Sequence, residues 1–192
     1  MHFERGQETF FPSILNDHSV YFTWSSERLV AVGDSNSGDY LFCDENHKQA
    51  VDCIENIYYA LSNDEWKYLF NINNEYGETC RSGKYKYGVT ISGNENYVVI
   101  APDDWNLTAN PLQDNYDKST WEAAETAGLV CLPPAKYRRN SAVMPNNEGH
   151  YWSSSSSSNS ALSVMFTSSS ITIGKVTTRA LGYSIRLVTD VK

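Results

Sequence analysis

The sequence predicts a single α+β domain, and three observations predict it. Two S-x-x-E segments, at residues 62–65 and 119–122, each stand just ahead of a run with helical apolar spacing, so two short helices are expected. β-branched and aromatic runs separated by turn residues surround them, as in a set of short strands. With 192 residues, 41% apolar and 20% charged, the chain has the size of one domain and enough apolar side chains to close a core.

From the N-terminus, residues 19–24 (SVYFTW) and 29–32 (LVAV) are β-rich, and residues 33–38 (GDSNSG) form a loop by composition. Residues 52–61 fit either a strand or a helix. At Ser62 the signal sharpens: its hydroxyl can accept from a free helix N–H while Glu65 reaches back, and Trp66, Leu69 and Phe70 follow at i, i+3 and i+4 on one face. Residues 71–74 (NINN) end that helix. Residues 97–100 (YVVI) read as a buried strand leading into a turn at Pro102, Asp103 and Asp104. Ser119 is expected to cap the second helix, whose small face is Ala123, Ala124 and Ala127 and whose stop is Gly128 at C′. Residues 129–132 make a further strand, broken by Pro133 and Pro134.

The tail is written differently. Residues 1–150 hold 22 of the 23 acidic and 11 of the 15 basic residues, whereas the last 42 hold only Asp190 against Lys175, Arg179, Arg186 and Lys192, with 12 of the 23 serines. Six consecutive serines, Ser153 to Ser158, would alone suggest a tether. Leu162, Val164 and Phe166 then alternate with Ser163, Met165 and Thr167, the period-2 pattern of a strand with the first set buried and the second exposed. Ile185 and Leu187 against Ser184 and Arg186 predict a final strand. The serine run is therefore expected to be an ordered loop between core elements.

Composition also excludes. A net charge of −8 and no run of Lys or Arg argue against nucleic acid as a partner. No apolar stretch approaches a membrane span, and residues 1–11 lack the apolar centre of a signal peptide, so the protein is expected either to work without export or to follow a removed leader. Cys43, Cys53, Cys80 and Cys131 follow no zinc-ligand spacing and leave their disulfide state open, Cys131 reading as a small buried hydrophobe. His2, His18, His47 and His150 are scattered and lack metal-ligand spacing, and no G-x-S-x-G elbow accompanies His150, so neither a metal nor a nucleophilic serine is expected. Asp103 and Asp104 suit a solvated turn with an Asx hydrogen bond better than a paired-carboxylate or calcium site. Asn106-Leu107-Thr108 is a glycosylation triplet of the kind that arises by chance. What stands out is a tail dense in Ser, Thr, Asn and Tyr, a composition shared with antibody paratopes.

Six ordered blocks carry a resemblance: LSNDEWKYLF (61–70), VIAPDDW (99–105), WEAAETAG (121–128), LPPAKYR (132–138), GHYWSSS (149–155) and RALGYSIRLV (179–188). Together they resemble a group of C-type-lectin-fold domains of gut Bacteroidetes and their phages, the Fibrobacter-type major paralogous domains. Several members of that group look like variable proteins of diversity-generating retroelements. The resemblance implies a loop-rich α+β fold of formylglycine-generating-enzyme type, with two short helices packed on twisted antiparallel sheets. Residues 1–60, weakly matched, would be an N-terminal strand and loop segment of the same domain, 61–192 the C-type-lectin-like domain, and 151–188 its variable ligand-binding region.

On that likeness Tyr151, Trp152, Ala161, Val164, Phe166, Arg179, Gly182, Ile185, Arg186, Leu187 and Val188 match the fixed frame. Ser156, Ser157, Ser158, Ser160, Ser163, Met165, Thr167, Lys175, Thr177, Thr178, Leu181 and Tyr183 fall where ligand-binding variation is expected. The resemblance implies a non-enzymatic receptor-binding protein of a phage or an adhesin of a bacterial surface, located on the virion or outside the cell. Its partner would be a cell-surface protein or glycan, with no cofactor and no membrane insertion, and self-association into a homo-oligomer stays open. The alternatives are an enzyme on the formylglycine-generating fold, against which stands a tail with no cysteine, and a passive structural tip. The E-P-N and W-N-D motifs of calcium-dependent lectins are missing from the sequence.

Overall fold

The computed structural model describes residues 57–72, 81–139, 142–144, 147–157 and 160–188, with further strands at 21–25, 28–32, 40–44, 47–48 and 50–51. Before Ala60 the description is of backbone and strand pairing. The chain is α+β, with two helices among the described residues and several mainly antiparallel sheets joined by many loops.

The N-terminal β-rich runs form a hairpin, β1 (Tyr21–Ser25) against β2 (Arg28–Val32), extended by β3 (Tyr40–Asp44) and β4 (His47–Lys48). The loop expected at 33–38 lies outside the described residues. The ambiguous stretch at 52–61 contains a strand, β6 (Ile57–Ala60), paired on one side with β5 (Ala50–Val51).

Helix α1 (Asn63–Phe70) begins as its sequence predicts: Ser62 is the N-cap, its hydroxyl accepts from Glu65 N–H, and the Glu65 carboxylate accepts from Ser62 N–H at 2.7 Å. Asn71 ends it in the left-handed conformation, whereas Asn73 and Asn74 lie outside the described residues. Helix α2 (Lys118–Thr126) starts two residues earlier than expected. Its N-cap is Asp117, which accepts from Thr120 N–H at 2.8 Å and from the Ser119 hydroxyl, so Ser119 supports the cap rather than being it. A charged carboxylate is a stronger acceptor for a free helix amide than a hydroxyl. The end is as expected: Gly128, at φ +109°, donates to Glu125 C=O while Leu129 donates to Ala124 C=O, a complete Schellman motif.

A central sheet runs β10 (Val130–Leu132), β8 (Asn94–Ile100), β7 (Tyr85–Ile91) and β9 (Asn115–Tyr116), the last pair parallel. Residues of β8 alternate between two cores. Val98 and Ile100 join Leu61, Trp66, Leu69 and Phe70 of the α1 side, while Tyr97 and Val99 join Val89, Ile91 and Leu129 under α2. Helix α2 buries no residue fully and offers only Trp121 and Ala124 to the second core. Trp66 stacks on Phe70, and Phe70 meets Tyr85 edge-on.

The Asp103–Asp104 turn is present, but its hydrogen bonding corrects the expectation. The Asp103 carboxylate is taken by Arg81 Nη1 at 2.8 Å and the Tyr68 hydroxyl at 3.0 Å, while the Asx turn belongs to Asn106, whose Oδ1 accepts from Thr108 and Ala109 N–H. Arg81 is 2% exposed and its guanidinium also donates to the carbonyls of Leu69 and Ala101, tying the end of α1 to the turn. Cys131 is half-buried as a residue, but its thiol is desolvated and pushed up to about 12.

The C-terminal part comprises β11 (Tyr137–Arg139), β12 (Ala142–Met144), β13 (Gly149–Ser157), β14 (Ser160–Phe166), β15 (Ile171–Thr178), β16 (Leu181–Gly182) and β17 (Leu187–Val188). The expected final strand is split: Ser184 bridges Tyr151 in parallel, and only Leu187 and Val188 pair antiparallel, with Ala60 and Tyr59 of β6.

Candidate ligand-binding face

The serines after Trp152 do not form a free loop: Ser153 to Ser157 continue β13, with a register irregularity between Trp152 and Ser156, and Ser158 lies outside the described residues. Two of their hydroxyls hold backbone. Ser155 Oγ accepts from Asn63 N–H, one of the free amides at the start of α1, and buried Ser153 donates to Leu162 C=O at 2.9 Å. These two serines thus satisfy backbone groups of α1 and β14.

β13, β14 and β15 form one antiparallel sheet, and their register assigns each residue to a face. Tyr151, Val164, Phe166, Ile171 and Ile173 lie on the side packed on α1. His150 is opposite Met165, Trp152 opposite Ser163, Met165 opposite Thr172, and Ser163 opposite Lys175, so these share the other side. Between Ile173 and Lys175 an extra residue, Gly174, sits at φ +72° in a bulge against Asn63, which keeps Lys175 in step with Ser163.

The alternation in β14 thus sorts the two sides, but the expected exposures are corrected: Met165 and Thr167 are half-buried and Ser163 is only 1% exposed, because the second side of the sheet is itself covered there. Tyr183 stacks on Trp152 with ring centroids 4.5 Å apart, and the Thr177 side chain bonds both the Tyr183 hydroxyl and, at 3.0 Å, Ser163 Oγ. Thr177 and Tyr183 are buried for the same reason, and burial raises the Tyr183 phenol above its usual range. These three side chains make a floor, with Trp152 beneath.

Beside the floor, on the same face, stand Met165, half-buried, and Lys175, exposed, whose ammonium lies 3.1 Å from the Met165 sulfur. Thr172, exposed beside Met165, is a neighbour the sequence reading missed; its position opposite Met165 follows only from the pairing of β15. The remaining expected residues are spread. Ser156, half-buried, pairs with Ala161 on the same side; Ser160 and Thr178 face each other on the α1 side of the far end, where the backbone of Ser157 also pairs. Leu181 lies opposite Arg139, and Thr167 closes the β14–β15 turn by accepting from the amides of Ser169 and Ser170. The structure therefore gathers Ser163, Met165, Lys175, Thr177 and Tyr183 around one point and leaves Thr167 and Leu181 apart from it.

His150 lies beside that point. Its ring forms a three-ring cluster with Tyr137, at 4.8 Å, and Tyr183, at 4.9 Å, which also meet each other edge-on, and its Nε2 is 3.1 Å from the Glu148 carboxylate. Burial pushes the imidazole below the usual histidine range; Glu148 pulls the other way and Lys175 adds to the depression. Asp103 is engaged elsewhere, by Arg81 and Tyr68. Burial raises its carboxyl, but those hydrogen bonds outweigh it and hold the group below the usual range. Among the described residues no group of three His, Cys, Asp or Glu could hold a metal ion, and no helix is long and apolar enough to cross a membrane. In comparisons with known proteins, no family model, no curated protein and no solved structure matches this chain.

Proposed function

We propose that this chain is a non-enzymatic binding protein that holds a cell-surface protein or glycan on the sheet face carrying Met165, Thr172 and Lys175. Its fold is read as C-type-lectin-like and its tail as the diversified region of a retroelement-encoded variable protein, on the resemblance of residues 61–188. The role is phage receptor binding or bacterial surface adhesion, on the virion or outside the cell.

One observation carries the reading. Met165, Thr172 and Lys175 stand on the same sheet face as a floor, Trp152, Ser163, Thr177 and Tyr183, that is closed by stacking and hydrogen bonds within itself. Side chains beside such a floor can change without opening the core, which is what a surface of varying specificity needs. The same reading removes Ser163, Thr177 and Tyr183 from direct contact and gives them the task of supporting the contact residues.

The test is adhesion of the labelled protein to a panel of gut Bacteroidetes cells, comparing the parent with Met165→Glu/Lys175→Glu. The parent should bind at least one strain and the folded double variant should lose that binding. Equal binding by both, or binding of the parent to none, would refute the assignment.

A further inference from the structure

We propose that His150 makes this binding face pH-responsive: with a neutral imidazole the Tyr137–His150–Tyr183 cluster holds Met165 and Lys175 in place, and protonation loosens it. The inference rests on reading that face as the ligand site and adds its regulation.

The geometry places a titratable ring beside the site. His150 is 4% exposed and is the cross-strand neighbour of Met165, so its ring lies beside the thioether that the ligand would touch. Two aromatic rings pack against it, and one of them, Tyr183, continues the contact to Trp152 and through Thr177 to Ser163. Any displacement of the imidazole is thereby passed to the floor beside Met165 and Lys175.

The groups that face His150 decide the direction. Glu148, just ahead of β13, approaches Nε2, Lys175 acts from β15, Tyr137 from β11, and Tyr183 from the segment after β16; β14 contributes Met165 and Ser163, which carry no titrating group. Burial and the like charge of Lys175 both disfavour an imidazolium. Glu148 favours it, but its side chain is 42% exposed and solvent screens it. A proton therefore binds more readily when the ring has left the cluster, and by linkage acid shifts the population toward the loosened face.

The Met165 methyl, labelled with carbon-13 and assigned by Met165→Leu, reports this in ligand-free protein titrated from about pH 8 to about pH 4.5. The expected result is a sigmoidal shift with its midpoint below about 6.5. The midpoint should fall further in Glu148→Gln, rise in Lys175→Gln and vanish in His150→Gln. A flat Met165 signal, or one midpoint shared by the parent, Glu148→Gln and Lys175→Gln, overturns the proposal. If His150→Gln does not fold, the opposite movements in the two milder variants decide. No ligand is present, so failure here leaves the adhesion reading standing, and failure of adhesion leaves this titration interpretable.

Discussion

The Trp152 indole and the Tyr183 ring are stacked, with centroids 4.5 Å apart and planes at 30°. They join β13 to the segment after β16 and close the sheet face beside Met165 and Lys175. Because Trp152 is fully buried, Trp152→Ala should cost about 3–5 kcal/mol, as large-to-small core changes do. Tyr183→Phe, which loses only the bond to Thr177, should cost about 1 kcal/mol. Met165→Ala and Lys175→Ala should stay within about 0.5 kcal/mol of the parent. Urea denaturation of the four variants checks the separation of floor from surface; a costly Lys175→Ala would contradict it.

Gly149 is required by Phe166 rather than by its own backbone. A Cβ there would lie 2.0 to 2.6 Å from three atoms of the Phe166 ring, its cross-strand partner. Gly149→Ala should therefore destabilise by about 1–3 kcal/mol through overpacking. Pairing it with Phe166→Leu should cost less than the sum of the single changes, which a double-mutant cycle measures directly.

Asp117, and not Ser119, caps α2. The amide of Thr120, then the hydroxyls of Ser119 and Thr120, hold the Asp117 carboxyl below the usual carboxylate range. A depressed folded-state pKa stabilises above the unfolded value, and this contribution is lost as the pH falls through the folded one. Asp117→Ala should lower the melting temperature at neutral pH more than Ser119→Ala does, and should flatten the acid side of the melting profile. Thermal melts across that pH range, read by circular dichroism, show whether the larger loss follows Asp117.

Cys131 should resist alkylation. A thiol raised to about 12 by burial is almost wholly protonated at neutral pH, and the thiolate is the reacting species. Iodoacetamide treatment followed by mass spectrometry should leave Cys131 unmodified in the native protein and modify it rapidly in urea. Equal native and denatured rates would contradict the buried assignment.

What the sequence by itself determined is whatever is encoded within a turn or a pleat. The Ser62–Glu65 box, the Trp66, Leu69 and Phe70 face, and the Gly128 stop depend on neighbours three or four residues away, and each is present in the fold. The alternation in β14 likewise sorts Val164 and Phe166 from Ser163 and Met165, because successive side chains of a strand must point to opposite sides. Local pattern overreached at Ser119, whose hydroxyl donates to the Asp117 carboxylate that caps the helix instead.

The tertiary structure alone decided what covers each side. Period-2 spacing names the side of Ser163 but not the ring of Tyr183, twenty residues later, that arrives to bury it. Nor does any local pattern mark Arg81 as an anchor for Leu69, Ala101 and Asp103, or put Thr172 and His150 on either side of Met165. Burial and electrostatics at the binding face are set by chain segments far apart in sequence. The expectation of a polar tail surface therefore resolved into a few exposed residues beside a supporting floor only when those segments were brought together.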